Sequence, residues 1–571
     1  MEFTKKRHIP RTTTMQRSFL GYCPQLSMGD SQWYHEENLS SREFPLLRPR
    51  SKRRLLDPAE VNALGELNGL VMLRGKTLHY GGNELTLPLE SGDKRLLSFG
   101  AYLIVLPDMV WVNTVDHSFG TCNIRREYEI PLGILWCDEN GEPLDGVVES
   151  SEPPENQNQY WIDSFDPASG LRYCSKETGK WVPMEPTYLR IRGEGIGVDL
   201  SRGSQILMDD CPYLSPIVGT GLCTVYGCGR DYLVLEGKIP GTRLETETLQ
   251  FKVTSPVPIM DHVIQHENRL WGCRYGLDHN GNYVNEIYAS ALGDFKSWYS
   301  FQGISSDSYV LSLGEQGPFT GAAVVGGHPV FFKERSIHKI YGNRPSSYQL
   351  HTTICAGVAP GSSRSMAYLQ DTLVYLGSDG FYVYDGSYPV KISTHLGGQV
   401  YRQGIGGVLG NIYYCSVLEK NGTPVILTYD SYNKIWHRET GARPLEFQQS
   451  GEILYYRTED PGLFAIGTDT GTPAEREVHW EAVTGLIRRE KIHDGYFTGL
   501  RLRLSGEIGS YVHVFSECNS FGAWEHLGTI AGGRLYSRDI HFRIAKCDHL
   551  RLKFQGVGDM VIHAITTVME G

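Results

Sequence analysis

The sequence predicts an all-β chain organised around a β-propeller of six or seven blades, and three observations carry that prediction. Strand-like segments recur with equivalent strands about 40–45 residues apart, the length of a four-stranded antiparallel blade with its turns. The 65 Gly, 33 Tyr and 10 Trp among 571 residues favour tight turns and aromatic-rich strands over long helices. Near the C-terminus, Leu500-Arg501-Leu502-Arg503-Leu504 and Leu550-Arg551-Leu552-Lys553-Phe554 alternate apolar and cationic residues, which puts one face in a core and the other in water.

Residues 1–58 read as an extended basic arm. Up to Leu56 there are eleven Lys and Arg against five Asp and Glu, although the whole chain carries a net charge of −11. Pro10, Pro24, Pro45 and Pro49 favour extended backbone. Within this arm Arg48, Arg50, Lys52, Arg53 and Arg54 form the candidate partner-binding cluster, because Arg makes bidentate bonds to carboxylate or phosphate. The bland alternative is a solvated linker.

Residues 59–134 supply the first blades, with paired strands expected near 69–74 and 77–80 and near 102–106 and 109–113. Over 135–256 the period is lost while strands continue, which predicts a small β-barrel or sandwich inserted into the repeats. Its stretch 149–158, almost without apolar residues, reads as a loop. The repeat returns over 257–474, and 475–571 reads as a C-terminal β-sandwich.

A net acidic chain argues against nucleic-acid binding over its whole surface, which needs a concentrated positive field. No run of about 18 apolar residues offers a membrane helix. The opening residues, Met1-Glu2-Phe3-Thr4-Lys5-Lys6-Arg7-His8, lead into polar sequence without an apolar signal core. The twelve cysteines contain no CxxC pair and no zinc spacing, so they read as small buried hydrophobes in a reducing compartment.

Motifs for chemistry are sparse. Gly193-Glu194-Gly195-Ile196-Gly197 lacks the spacing of a dinucleotide loop and sits among strands, so it reads as a turn. Asp278-His279-Asn280-Gly281-Asn282 begins like a calcium loop, but Glu286 comes too early to close one, and Asn-Gly favours a hairpin turn. Ser516, Asn519, Gly522 and Trp524 follow the order of a sialidase Asp-box with the wrong spacing. Tyr160, Trp161, Trp298 and Tyr299 are candidates for stacking on sugars, although blade core is the commoner fate of such residues. No catalytic residue, metal ligand or cofactor is expected from these residues.

The order of parts and several local phrases resemble virion proteins of tailed bacteriophages, in particular the tail-hub or packaged-DNA stabilisation protein of short-tailed phages. The phrases are Asn38-Leu39 followed by Pro45 and Arg48, His328-Pro329-Val330-Phe331-Phe332 with His338-Lys339-Ile340-Tyr341, residues 371–376 with 380–384, and the final block 540–568. The inserted block 135–256 departs from the simplest plan of that family. The resemblance implies a non-enzymatic structural protein of the phage tail, assembled in the bacterial host cytoplasm. Its subunits would form a ring-shaped homo-oligomer below the portal and adaptor, help to retain packaged DNA, with contact to that DNA open to them, and anchor the tail spike, fibre or needle. The alternatives are a receptor- or glycan-binding tail-tip protein and, after it, a propeller glycoside hydrolase.

Overall fold

A computed structural model describes the chain except residues 1–10, 26–28, 30, 199, 201, 217–220, 246–247, 256, 279–280, 302, 489–495, 521, 543, 545–546 and 571. Lys5, Lys6, Arg7 and Pro10 of the expected arm, and His279 and Asn280 of the expected turn, lie outside the described residues.

The fold is all-β and of the propeller class. Six sheets are four-stranded antiparallel meanders of consecutive strands, beginning at Ala63, Arg95, His262, Gly321, Ala367 and Arg402. A seventh blade joins Glu446–Ser450, Ile453–Arg457 and Leu463–Ile466 to Arg54–Asp57, with Thr472–Pro473 beyond it. The expectation of six or seven blades thus resolves to seven among the described residues. Counting them from sequence fails because the fourth strand of the last blade comes from the opposite end of the chain.

The chain divides into two compact units. One comprises residues up to Leu96, Thr320–His338 and the chain from Thr352 onward; the other comprises Leu97–Phe319 and Lys339–His351. In the first unit successive blades stack through shared apolar cores. Phe381 and Leu376 of the fifth blade meet Tyr413, Leu427 and Trp436 of the sixth, and Ile412 and Tyr414 of the sixth meet Leu454 and Tyr456 of the seventh. Leu463 of the seventh in turn packs on Val61 and Leu64 beside the first blade. Strands with a neighbour on both faces lose apolar alternation: Thr372–Gly377 and Ile412–Leu418 are buried almost throughout. His549–Val557 keeps the alternation, because only one of its faces meets a core.

The C-terminal region of the same unit is a two-sheet sandwich. One sheet runs Arg11–Gln16, Met560–Glu570, Tyr496–Gly506, Tyr536–His541; the other runs Trp33–Glu37, His479–Thr484, His549–Val557, Tyr511–Cys518, Glu525–Ala531. Trp33, Leu502, Val514, Phe554 and Ile562 fill the space between them. The described residues between 11 and 57 therefore do not form an arm resting on another surface. Arg11–Gln16 and Trp33–Glu37 join the two sandwich sheets and Arg54–Asp57 the seventh blade, because each open sheet edge gains backbone hydrogen bonds by accepting a strand. Leu39–Ser40 and Arg48–Pro49 pair with each other.

In the second unit the second and third blades share a core containing Phe99, Ile104, Leu270, Tyr288 and Trp298. The inserted domain is an eight-stranded sheet with a smaller four-stranded one. It begins at Ile124 rather than at residue 135, since Ile124–Ile130 pairs along its length with Leu249–Ser255. The stretch 149–158 lies mostly between the strands Val147–Ser150 and Tyr160–Asp163, as its polar composition suggests. All twelve cysteines are free thiols, nine of them buried, in keeping with their reading as small hydrophobes.

Candidate functional site

The basic cluster expected to face a partner is committed to carboxylates and carbonyls of its own chain. Arg48 makes a bidentate pair with Asp559 of the sandwich, at 3.0 and 2.6 Å, and also bonds Glu43. Arg50 is bidentate on Glu475, at 2.6 and 2.8 Å, and lies 3.5 Å from Glu439. Arg53 donates to Glu439 Oε2 at 2.8 Å and to the Thr440 carbonyl at 3.0 Å. Lys52 donates to the Arg476 carbonyl at 2.8 Å, and Arg54 reaches Asp469 at 3.3 Å.

Arg50 and Arg53 are only 7% and 3% exposed, so their charges are withdrawn from any partner. The cluster joins the sixth blade, the seventh blade and the sandwich from one short segment. Burial alone would raise the Glu475 carboxyl, but Arg50 bonds and charge outweigh it and hold the group below its ordinary value. Beside the cluster lies a polar cavity of about 350 Å³, where Arg48, Lys52 and Arg54 alternate with Asp469, Glu507 and Asp559. Charge is largely matched there, and no one-signed patch results.

A larger cavity, about 590 Å³, lies wholly within the second unit between two sheets. One wall is the outer face of the inserted sheet. Arg125 and Leu207 both stand opposite Thr254, and Asp209 stands opposite Lys252, so these five residues share that face. The intervening residues Phe251, Val253 and Met208 point into the inserted core. The other wall comes from the third blade, where Val284, Glu286 and Tyr288 fall on one face of Tyr283–Ala289 by the two-residue period. Tyr299 and Phe301 extend this wall, and Phe301 is 53% exposed.

The blade wall is polar at its base. The Tyr288 hydroxyl donates to Glu286 Oε2 at 2.7 Å and the Ser312 hydroxyl to Oε1 at 3.1 Å, which fixes the carboxylate orientation. Burial pushes the Tyr288 phenol far up, helped by its bond to Glu286. Burial likewise raises Tyr299, followed by the charges of Glu286 and Asp278, so both phenols stay neutral donors at physiological pH. The Tyr299 hydroxyl has no hydrogen-bond partner among the described residues.

The other sequence candidates separate clearly. Gly193–Gly197 is a turn, with Gly193 and Gly197 donating to the carbonyls of Asp231 and Arg230. Asp278 and Asn282 close the hairpin between Arg269–Leu277 and Tyr283–Ala289, with the Asp278 amide donating to the Asn282 carbonyl at 2.8 Å. Among the described residues no group of three metal-ligating side chains converges. Ser516 is buried and Trp524 lies under the Lys553 and Arg551 cations at 4.7 and 5.4 Å. Trp161 and Trp298 are core residues, whereas Tyr299 lines the larger cavity. Lys252 carries no motif signal and Glu286 only that of a calcium loop closed too early; each is placed by the register of its own sheet, Lys252 in the insertion and Glu286 in the repeat. No described helix is long and apolar enough to cross a membrane.

No protein-family model and no curated protein matches the chain. Solved structures do. BamB from Moraxella catarrhalis is 10% identical at a TM-score of 0.32, over 74% of this chain and 98% of its own. An exo-β-1,3-galactanase from Phanerochaete chrysosporium is 9% identical at 0.19, over 53% and 95%. A family 43 arabinoxylan arabinofuranohydrolase from Bacillus subtilis is 11% identical at 0.17, over 54% and 94%. The presence of glycoside hydrolases among these structures corrects the expectation of a non-enzymatic chain, and that exclusion is withdrawn. At such scores the likeness carries no argument for any particular activity or partner.

Proposed function

We propose that the chain is a structural subunit of a tailed-bacteriophage virion, acting in a ring below the portal and adaptor that helps to retain packaged DNA and anchors spikes or fibres. The observation that supports this reading most is the fastening of the first unit. One segment, Arg48 to Asp57, bonds the sandwich, completes the seventh blade and pairs with the sixth. A body tied in this way suits a subunit that repeats around an axis and bears load from several partners. The phrases that resemble those of tail-hub proteins fall on strands of neighbouring blades, His328–Lys333 with Ser336–Tyr341 and Thr372–Gly377 with Gly380–Tyr384.

The test is the mass and symmetry of the purified protein, alone and mixed with portal, adaptor and tail components of short-tailed phages, by light scattering and negative-stain imaging. Recruitment into rings by those components is the expected result. A monomer that ignores all of them refutes the hub role. Because Arg50 and Arg53 are internal, their substitution reports on folding and does not serve as a test of partner binding.

A further inference from the structure

The inserted domain faces the third blade across a cavity that no part of the tail-hub reading uses. Its volume of about 590 Å³ falls within the range of roughly 300–1,000 Å³ that holds small ligands. Its lining narrows the ligand chemistry. The carboxylates Asp209, Asp278 and Glu286 outnumber the cations Arg125 and Lys252, which disfavours a phosphate or nucleotide. Asn123, Thr254 and Asn282 add further polar groups, so the lining offers many donors and acceptors that a purely apolar ligand would not use and would screen from water. A cation held by carboxylates alone is disfavoured too, because no ligand group of three converges among the described residues.

What remains is a polyhydroxylated ligand with apolar ring faces. We propose that this cavity binds an uncharged or weakly charged oligosaccharide, with Tyr299 and Phe301 packing on pyranose faces and Glu286, Asp278 and Lys252 bonding ring hydroxyls. The two walls divide these tasks. Aromatic rings on the blade side supply apolar contact and a free phenolic hydroxyl, while the charged residues of the inserted sheet discriminate hydroxyl positions. Glu286 is already oriented by Tyr288 and Ser312, so little ordering accompanies binding. The site stands independently of the virion role, since it uses neither the first unit nor any ring contact.

The full chain is titrated calorimetrically with maltohexaose, cellohexaose, chitohexaose and xylohexaose, and then screened on an array of uncharged bacterial surface glycans. Saturable binding to at least one of them is expected. Phe301→Ala, at a half-exposed position that the core does not need, should weaken that binding about tenfold, and Glu286→Gln at least as much. Urea unfolding of each variant separates lost binding from lost structure. The proposal is overturned if the folded protein binds none of these saccharides, or if binding survives unchanged in both variants. Ring assembly with tail components is scored separately, so failure here leaves the tail-hub test untouched.

Discussion

Replacing Arg53 by Met removes one partner of a buried ion pair while keeping most of the side-chain volume. The Arg53 and Glu439 side chains are 4% and 6% exposed and meet at 2.8 Å. Loss of one member of such a pair costs about 3–5 kcal/mol, mostly because the survivor stays charged and buried. Two structural details reduce this figure. Arg50 still lies 3.5 Å from Glu439, and the substitution also removes the Arg53 Nε, a buried donor without an acceptor among the described residues. The expected net loss is therefore about 2–3 kcal/mol.

Trp436 shares the strand Ile435–Glu439 with Glu439 and packs against Phe381 at 4.9 Å, so its fluorescence in urea unfolding gives a local readout. The double variant Arg53→Met with Glu439→Leu should cost less than the sum of the single changes, because neither charge is then stranded. A single-variant cost under about 0.5 kcal/mol, or strictly additive single costs, would refute an internal clamp and return Arg53 to the status of a free cation.

Three further outcomes are expected. His437 bonds Glu36 at 2.5 Å in a fully buried pair; burial lowers the imidazole pKa, but the Glu36 charge and bond outweigh it and raise it above its usual value. Its contribution is thus present below about pH 6.5 and lost as pH rises through the raised value, so urea midpoints should fall from pH 6 to 9 and His437→Gln should flatten the slope. Gly556→Ala would drive a Cβ into the buried Trp480 ring, and should lower sandwich stability by about 1–3 kcal/mol in the same unfolding assay. Burial pushes the Cys122 and Cys415 thiols up to about 12, so at pH 8 iodoacetamide should label them only after unfolding, as read by peptide mass spectrometry.

The blades are legible in the sequence because each meander is local: four strands and three turns repeat within one stretch of chain. The sandwich is legible from alternation in 500–504 and 550–554. The arm escapes such a reading because its cations find their partners far along the chain, Arg48 at Asp559 and Arg50 at Glu475, and no local pattern records such a match. The start of the insertion falls earlier than the period suggests because Ile124–Ile130 has the length and alternation of another blade strand; only its pairing with Leu249–Ser255 assigns it. Of the larger cavity, Tyr299 is visible as an aromatic suited to stacking, whereas Glu286 and Lys252 gain meaning only from register.

Closure of the seventh blade by Arg54–Asp57 also sets a timetable for synthesis. The strand leaves the ribosome about 400 residues before Leu463–Ile466, its partner, is made. At roughly 5–20 residues per second that interval is about 20–80 s, during which the early strand has no partner edge to close upon. Arg53, Arg54 and Asp57 flank or occupy that strand, and charges at such positions discourage premature pairing with other nascent chains. The same arginines that later tie the finished body together thus guard its last open seam while it waits.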